Sequence, residues 1–216
     1  MKNLIIIGAG GVGRETAWIV EQINQKELLF NILGFVDDNE ELWGNEINGY
    51  NIIGGLQYLD GITCTENIEL IISIANYKVK KNIVAKLNNK FKFATLIHPE
   101  VYISSTIIIG SGNIIYPGVI MTTNITIGNH IIVSPKCGIG HDSIIKDYVS
   151  LLWNVNVSGF NIIEEGAFIG SAATIIQNKR IGKKTIIGAA AVVINDIEAE
   201  VTAVGIPARV IKGMVI

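Results

Sequence analysis

Cysteine is scarce in this chain: Cys64 and Cys137 stand far apart in 216 residues, with no CxxC pair and no Cys/His cluster. That usage excludes a disulfide framework and an ordinary zinc site, and it points to a reducing, cytoplasmic setting. Charge is also thin, at 17% of residues, and nearly balanced, with 17 basic against 19 acidic side chains and a net charge of -2. Such a surface has no electrostatic reason to bind nucleic acid or an anionic membrane. Aromatics reach only 7%, while isoleucine is conspicuous within a 49% hydrophobic content. Long apolar runs are missing too. The stretch 101–135 lacks Asp, Glu, Lys and Arg, yet Ser, Thr, Asn and Gly break it every few residues. A membrane-spanning helix needs roughly 20 mostly apolar residues, so membrane insertion is not expected. The opening MKNLIIIGAG has no cleavage region and reads as a first strand rather than a signal peptide.

What is present is a period. Every sixth position from Ile97 to Val193, seventeen in all, is Ile, Val, Leu or Met. At a 49% apolar background, chance produces this about once in 10^5. Glycine often follows the key aliphatic, as at Ile109-Gly110, Ile139-Gly140 and Ile169-Gly170. Small or β-branched residues such as Val119, Ser143 and Ala173 recur four positions after it. No helix has a six-residue period, so residues 95–216 read as a parallel β-helix of hexapeptides, three to each triangular coil. The aliphatic side chains stack inside, and glycine is expected to permit the tight backbone at the corners.

Residues 1–94 carry a different pattern, an α/β Rossmann-like half-domain. In NLIIIGAGGVGRETAWIVEQI a strand runs into Gly8, Gly10, Gly11 and Gly13 and then into an amphipathic helix, the context that G-x-G-x-x-G requires. Glycines let the backbone approach a phosphate, and the helix N-terminus presents free N–H groups. A second strand, ILGFV, ends at Asp37 and Asp38, where a ribose- or base-binding acid belongs; a third, ELIISIAN, ends at Asn76. A Lys-rich helix is expected over 77–88. The same glycines also suit a plain tight turn that packs a helix against a strand. The aspartate pair at the matching strand end favours a ligand. The short length before the repeat suits one nucleotide rather than a dinucleotide.

The three histidines differ in setting. His98 precedes Pro99 and reads as structural, and His130 shares an expected exposed polar corner with Asn129. His141, followed at once by Asp142, lies in the corner after Ile139. An imidazole held by a carboxylate suits proton removal from an attacking amine or hydroxyl near neutral pH. His130 and His141 are 11 residues apart in an 18-residue coil, near different corners, so no metal site is expected within the chain.

The stretches IIGAGGVGRE, GFVDDN, HPE, IGHDSI, VSGFNIIEEGAFIGSAATI and the closing IIGAAAVVINDI and VGIPARVI together resemble one family across nearly the whole chain. It comprises bacterial sugar O- and N-acyltransferases of the left-handed β-helix, hexapeptide-repeat superfamily, including sialic-acid O-acetyltransferase-like proteins and N-acetyltransferases of UDP-amino-sugars. The resemblance implies a homotrimer with acetyl-CoA as co-substrate in the groove between adjacent β-helices. The N-terminal domain would present the sugar acceptor, a UDP-sugar being the expected partner. His141 aligns with the family's base and Asp142 with its acid. The Gly159 amide aligns with the contact to the thioester oxygen, and Gly170, Ser171 and Ala189 fall where the pantetheine groove is lined. Gly10, Gly13, Asp37 and Asp38 match the nucleotide-sugar pocket. Ser150 stands where relatives commonly have His, Lys146 and Asn154 replace frequent glycines, and Ala190 interrupts the usual GAGAVV run. The expected activity is acetyl-CoA-dependent acetylation of a nucleotide-activated amino-sugar in surface-glycan or glycoprotein-glycan synthesis. The alternatives are O-acetylation of a sialic-type sugar and, from another class, an NAD-binding oxidoreductase with a β-helix appendage.

Overall fold

The computed structural model describes residues 1–87 and 90–211. The chain divides into two compact units, Met1–Pro99 and Glu100–Ile216.

In the first unit, β1 (Lys2–Ile7) leads through the glycine turn into α1 (Gly11–Lys26) and then β2 (Phe30–Val36). The short hairpin β3 (Glu46–Ile47) and β4 (Tyr50–Gly54) follows, then β5 (Ile68–Ile72), α2 (Tyr77–Leu87) and β6 (Lys92–Phe93). The sheet order is β3-β4-β2-β1-β5-β6, parallel except for the β3 edge. β1 is central because its side chains are apolar on both faces: Leu4, Ile5 and Ile6 are fully buried. Such continuous burial is what a parallel strand covered on both faces requires. The third strand ends at Ile72 rather than at Asn76. The Ser73 N–H donates to the Ile7 carbonyl, and its hydroxyl reaches Ile7 O and Gly8 O at 2.8 and 2.9 Å. Those bonds draw the chain toward the glycine turn. Asn76 instead starts α2, its side-chain oxygen accepting the Val79 N–H at 3.2 Å, an N-cap geometry. Asn88, the last expected residue of that helix, lies outside the described residues.

The second unit is the expected β-helix. Two-residue strands pair in parallel with the strand 18 positions later: Ile120 with Gly138, Gly138 with Asn156, Thr174 with Val192. The strands build three sheets, one rising through Gly138–Ile139, one through Ile144–Ile145 and one through Ser150–Leu151. A closing antiparallel hairpin, Thr202–Val204 with Arg209–Ile211, ends the third sheet. The period of six thus places one aliphatic per side on the prism axis. Ile145, Leu151, Ile163, Ile169 and Ile187 are fully buried, and each such side chain stabilises the fold by about 1.5–3 kcal/mol.

The corners depart from expectation. The glycines after the key aliphatic, including Gly128, Gly140 and Gly170, do not lie in the left-handed region. They are needed for close stacking: a Cβ on Gly140 falls 2.6 Å from Gly159 N, and one on Gly170 falls 2.6 Å from Ala189 N. The left-handed turn is made two residues later, mostly by residues other than glycine: His130, Lys136, Asp142, Tyr148, Asn154, Phe160, Ala172 and Ala190 have φ between 56° and 63°. At Asn154 that conformation suits the side chain, whereas at Ala190 it costs about 1–2 kcal/mol against glycine. His130 is not exposed as expected. It is buried and stacks on Tyr148, one coil above, at 5.3 Å between ring centroids. His98 is also buried, with Nε2 2.5 Å from Gln22 Oε1 and its ring over Trp18. Among the described residues no helix is long and apolar enough to cross a membrane.

Candidate active site

His141 occupies the corner that follows the Gly138–Ile139 strand. Its side chain is half exposed, and Nδ1 lies 2.8 Å from Asp142 Oδ2. Asp142 can face back on the preceding ring because its φ of 59° is left-handed. A second donor, Asn124 Nδ2, reaches Asp142 Oδ1 at 3.2 Å. The two hydrogen bonds, that from His141 foremost, hold the Asp142 carboxyl below its ordinary pKa. An ionised carboxylate only accepts, so Nδ1 carries a proton, and in the neutral ring Nε2 presents the lone pair.

Four further contacts hold the imidazole and the backbone that carries it. Phe160 meets it edge to face at 5.0 Å and 89°, a favoured aromatic geometry. The Phe160 N–H donates to the His141 carbonyl at 2.8 Å, and the Asp142 N–H to Thr123 O at 3.1 Å. Gly159 lies directly against the ring: a Cβ there falls 2.6 Å from Cε1 and 2.7 Å from Nε2. Only glycine leaves the imidazole where it is. Asn124 and Phe160 were missed in the sequence, although each is 18 residues from Asp142 and therefore in the same column of the corner.

Gly170, Ser171 and Ala189 come together at another corner, the one after the Ser150–Leu151 sheet. Gly170 backs onto Ala189, and the Ala190 N–H donates to Ser171 O at 2.8 Å. The two sets therefore lie at different corners, with Gly170 and Ser171 one coil above His141 and Ala189 two coils above it. Ser150 is buried on a strand of that third sheet, not at a corner.

In the first unit the expected residues gather at the carboxyl ends of β1, β2 and β5. Open α/β sheets bind ligands there, where strand order reverses. Gly8 is left-handed at φ 102°, and Gly13 packs α1 on the turn, since a Cβ would sit 2.0 Å from Gly8 O. Gly10 and Gly11 face open space at the start of α1. Asp37 accepts the Ala9 N–H at 2.8 Å and the Asn39 N–H at 2.9 Å, so it pins the glycine turn. Asp38 is exposed and accepts the Leu56 N–H at 3.1 Å. Asn76 is exposed at the α2 cap. Ser73, bound to Gly8 O, belongs to the same edge, and nothing in the local sequence singled it out. Among the described residues no group of three or more His, Cys, Asp or Glu is arranged to hold a metal ion.

Comparison with known proteins adds four matches. The PglD N-terminal domain family covers residues 3–87. The GDP-perosamine N-acetyltransferase of Escherichia coli O157:H7 is 34% identical over 174 residues, 80% of this chain and 77% of that protein. Among solved structures, the acetyltransferase domain of PglB from Neisseria gonorrhoeae FA1090, in complex with acetyl coenzyme A, superposes with a TM-score of 0.87 at 25% identity, over 97% of this chain and 99% of that one. A mutant perosamine N-acetyltransferase from Caulobacter crescentus, in complex with CoA and GDP-perosamine, shares the fold with a TM-score of 0.88 at 22% identity, over 99% and 98% of the two chains.

Proposed function

The chain belongs to the sugar acyltransferases of the hexapeptide-repeat superfamily, with their left-handed β-helix, and we propose that it N-acetylates a nucleotide-activated amino-sugar from acetyl-CoA. The observation that carries the reading is the His141–Asp142 pair at an exposed corner, with the ring seated on the Gly159 backbone. His141 is the general base. Its Nε2 takes the proton from the sugar amine as nitrogen attacks the thioester carbon. Asp142, held ionised, keeps Nδ1 protonated and stabilises the imidazolium that forms. The Gly159 N–H faces the thioester oxygen, where charge builds during attack. The C–N bond forms, the C–S bond breaks, and the proton passes from His141 to the departing thiolate. No covalent enzyme adduct is needed, so the chain contributes mainly alignment and proton transfer.

Two corners supply the acyl site in this reading, which accounts for the separation of His141 from Gly170, Ser171 and Ala189. A second copy brings its Ser171 corner to the His141 corner of the first, and three such seams close a homotrimer. The glycine turn Gly8, Gly10, Gly11 and Gly13 takes the sugar nucleotide's diphosphate, and Asp37 and Asp38 read its ribose or base, with Asn76 at the rim. The relative's GDP-perosamine favours an amine as acceptor. GDP- and UDP-amino-sugars are therefore the substrates to compare.

The test is free-thiol release from acetyl-CoA with UDP-, GDP- and TDP-amino-sugars, alongside titration calorimetry with NAD. Turnover with one nucleotide amino-sugar and no NAD binding is expected. Tight NAD binding with no response to any sugar nucleotide refutes the assignment. Light scattering should give a trimer. A monomer that keeps full activity on dilution rules out shared seams.

A further inference from the structure

We propose that Trp153 closes the acyl end of the coenzyme A groove and thereby limits the length of the acyl group transferred; the inference rests on the acyltransferase reading above. Trp153, Ser171 and Ala189 occupy equivalent positions at one corner in successive coils. The Ala172 N–H donates to Trp153 O and the Ala190 N–H to Ser171 O, both at 2.8 Å. With coils about 4.8 Å apart, Trp153 lies one step below Ser171 and about 10 Å below Ala189. In the two coils above it the corner carries Gly170, Ser171, Ala172, Gly188, Ala189 and Ala190, side chains too small to obstruct an extended pantetheine arm. Trp153, a residue 50% exposed, ends that column. A single exposed aromatic needs no explanation by itself. Its height in the coil supplies one.

Trp153 and His141 belong to the same coil, which starts at the Gly138–Ile139 strand. In a cyclic trimer whose axis follows the β-helix, equivalent coils of neighbouring subunits lie at equal height. The indole of one copy therefore stands at the level of the partner subunit's His141, where the thioester carbon must lie. A thioester entering along Ala189 and Ser171 presents its carbonyl to the His141 and Gly159 corner and points its acyl tail at the indole. A methyl group fits there. Each further carbon adds a bond of about 1.5 Å, so a butyryl tail meets the ring.

The experiment measures kcat/KM for acetyl-, propionyl- and butyryl-CoA with one nucleotide amino-sugar, in wild type, Trp153→Ala and Trp153→Phe. Trp153→Ala is expected to raise the butyryl-to-acetyl ratio at least about ten-fold, the scale of discrimination per methylene in an apolar pocket. Trp153→Phe should fall between. A folded, trimeric Trp153→Ala with an unchanged ratio overturns the inference while leaving the acyltransferase reading intact. If Trp153→Ala does not fold, an unchanged ratio in Trp153→Phe has the same force. Wild type that uses no acyl-CoA with any nucleotide amino-sugar overturns both together.

Discussion

Gly159→Ala isolates the position of the base from its presence. The added methyl falls 2.6 Å from Cε1, 2.7 Å from Nε2 and 3.0 Å from Nδ1 of His141. Ordinary carbon contacts sit near 3.5–4.0 Å, so the ring must retreat by about 1 Å. A retreat of that size stretches the 2.8 Å bond to Asp142 past the useful range of a hydrogen bond. A misplacement of about 1 Å costs on the order of 10^2 in rate, about 2.7 kcal/mol on the barrier. Stability should barely move. Gly159 is not left-handed, and the nearest group to be displaced is a half-exposed ring that can swing toward solvent. The matching control is Gly140→Ala, whose methyl meets the Gly159 and Ser158 backbone at 2.6 and 2.7 Å. Backbone cannot retreat, so that variant should lose about 1–3 kcal/mol of stability. The assay is steady-state thiol release beside thermal melts, for both variants and for Gly159→Ala in a His141→Ala background. Once the imidazole is gone, the methyl at position 159 should add little further loss, because the two changes share one interaction. Unchanged kcat in Gly159→Ala, or a full additional loss in the double variant, would refute the reasoning.

His141→Ala should lower kcat by about 10^2 to 10^4 with the melting temperature unchanged; near-normal turnover in the folded variant removes the base assignment. Asp142→Asn keeps a residue that tolerates the left-handed φ of 59° and should cost less, about ten-fold in kcat. Asp142's pKa is depressed, first by the His141 hydrogen bond, so its support holds above the ordinary carboxylate range and is lost only as pH falls through the lower folded value. In the first unit, Gly13→Ala, which sets a methyl 2.0 Å from Gly8 O, should destabilise the fold. Gly10→Val, facing open space, should leave the melt intact and raise only the KM for the sugar nucleotide, with acetyl-CoA unaffected. Equal loss for both substrates would count against a nucleotide at that turn.

The second unit was legible because its constraint is periodic. One inward aliphatic per side and three sides per coil leave a mark every six residues, and the 18-residue register that pairs Ile120 with Gly138 follows from it. The same arithmetic places Asn124 and Phe160 in Asp142's column and puts Gly170 at a different corner from His141. Those consequences need only the register. The glycines were harder to read. Gly140 and Gly170 look like turn residues in sequence, yet they answer to backbone stacked from the next coil, 18 residues away, while the left-handed turn falls on Asp142 and Ala172. No local propensity signals that contact. His130 shows the same limit: a polar residue at a corner is read as exposed until Tyr148 is found stacked on it.

The two architectures, the glycine turn opening α1 and the adjacency of His141 and Asp142 can be read from residue order, because each is written in neighbouring residues or in a fixed period. The tertiary structure alone decided which nitrogen of His141 is free, what holds Asp142 ionised, why Gly159 admits no side chain, and that Ser73 and Asp37 pin the glycine turn. These depend on distances of a few tenths of an ångström between atoms far apart in the chain. Side-chain direction and the stacking of one coil on the next set such distances, and composition and spacing carry no record of them.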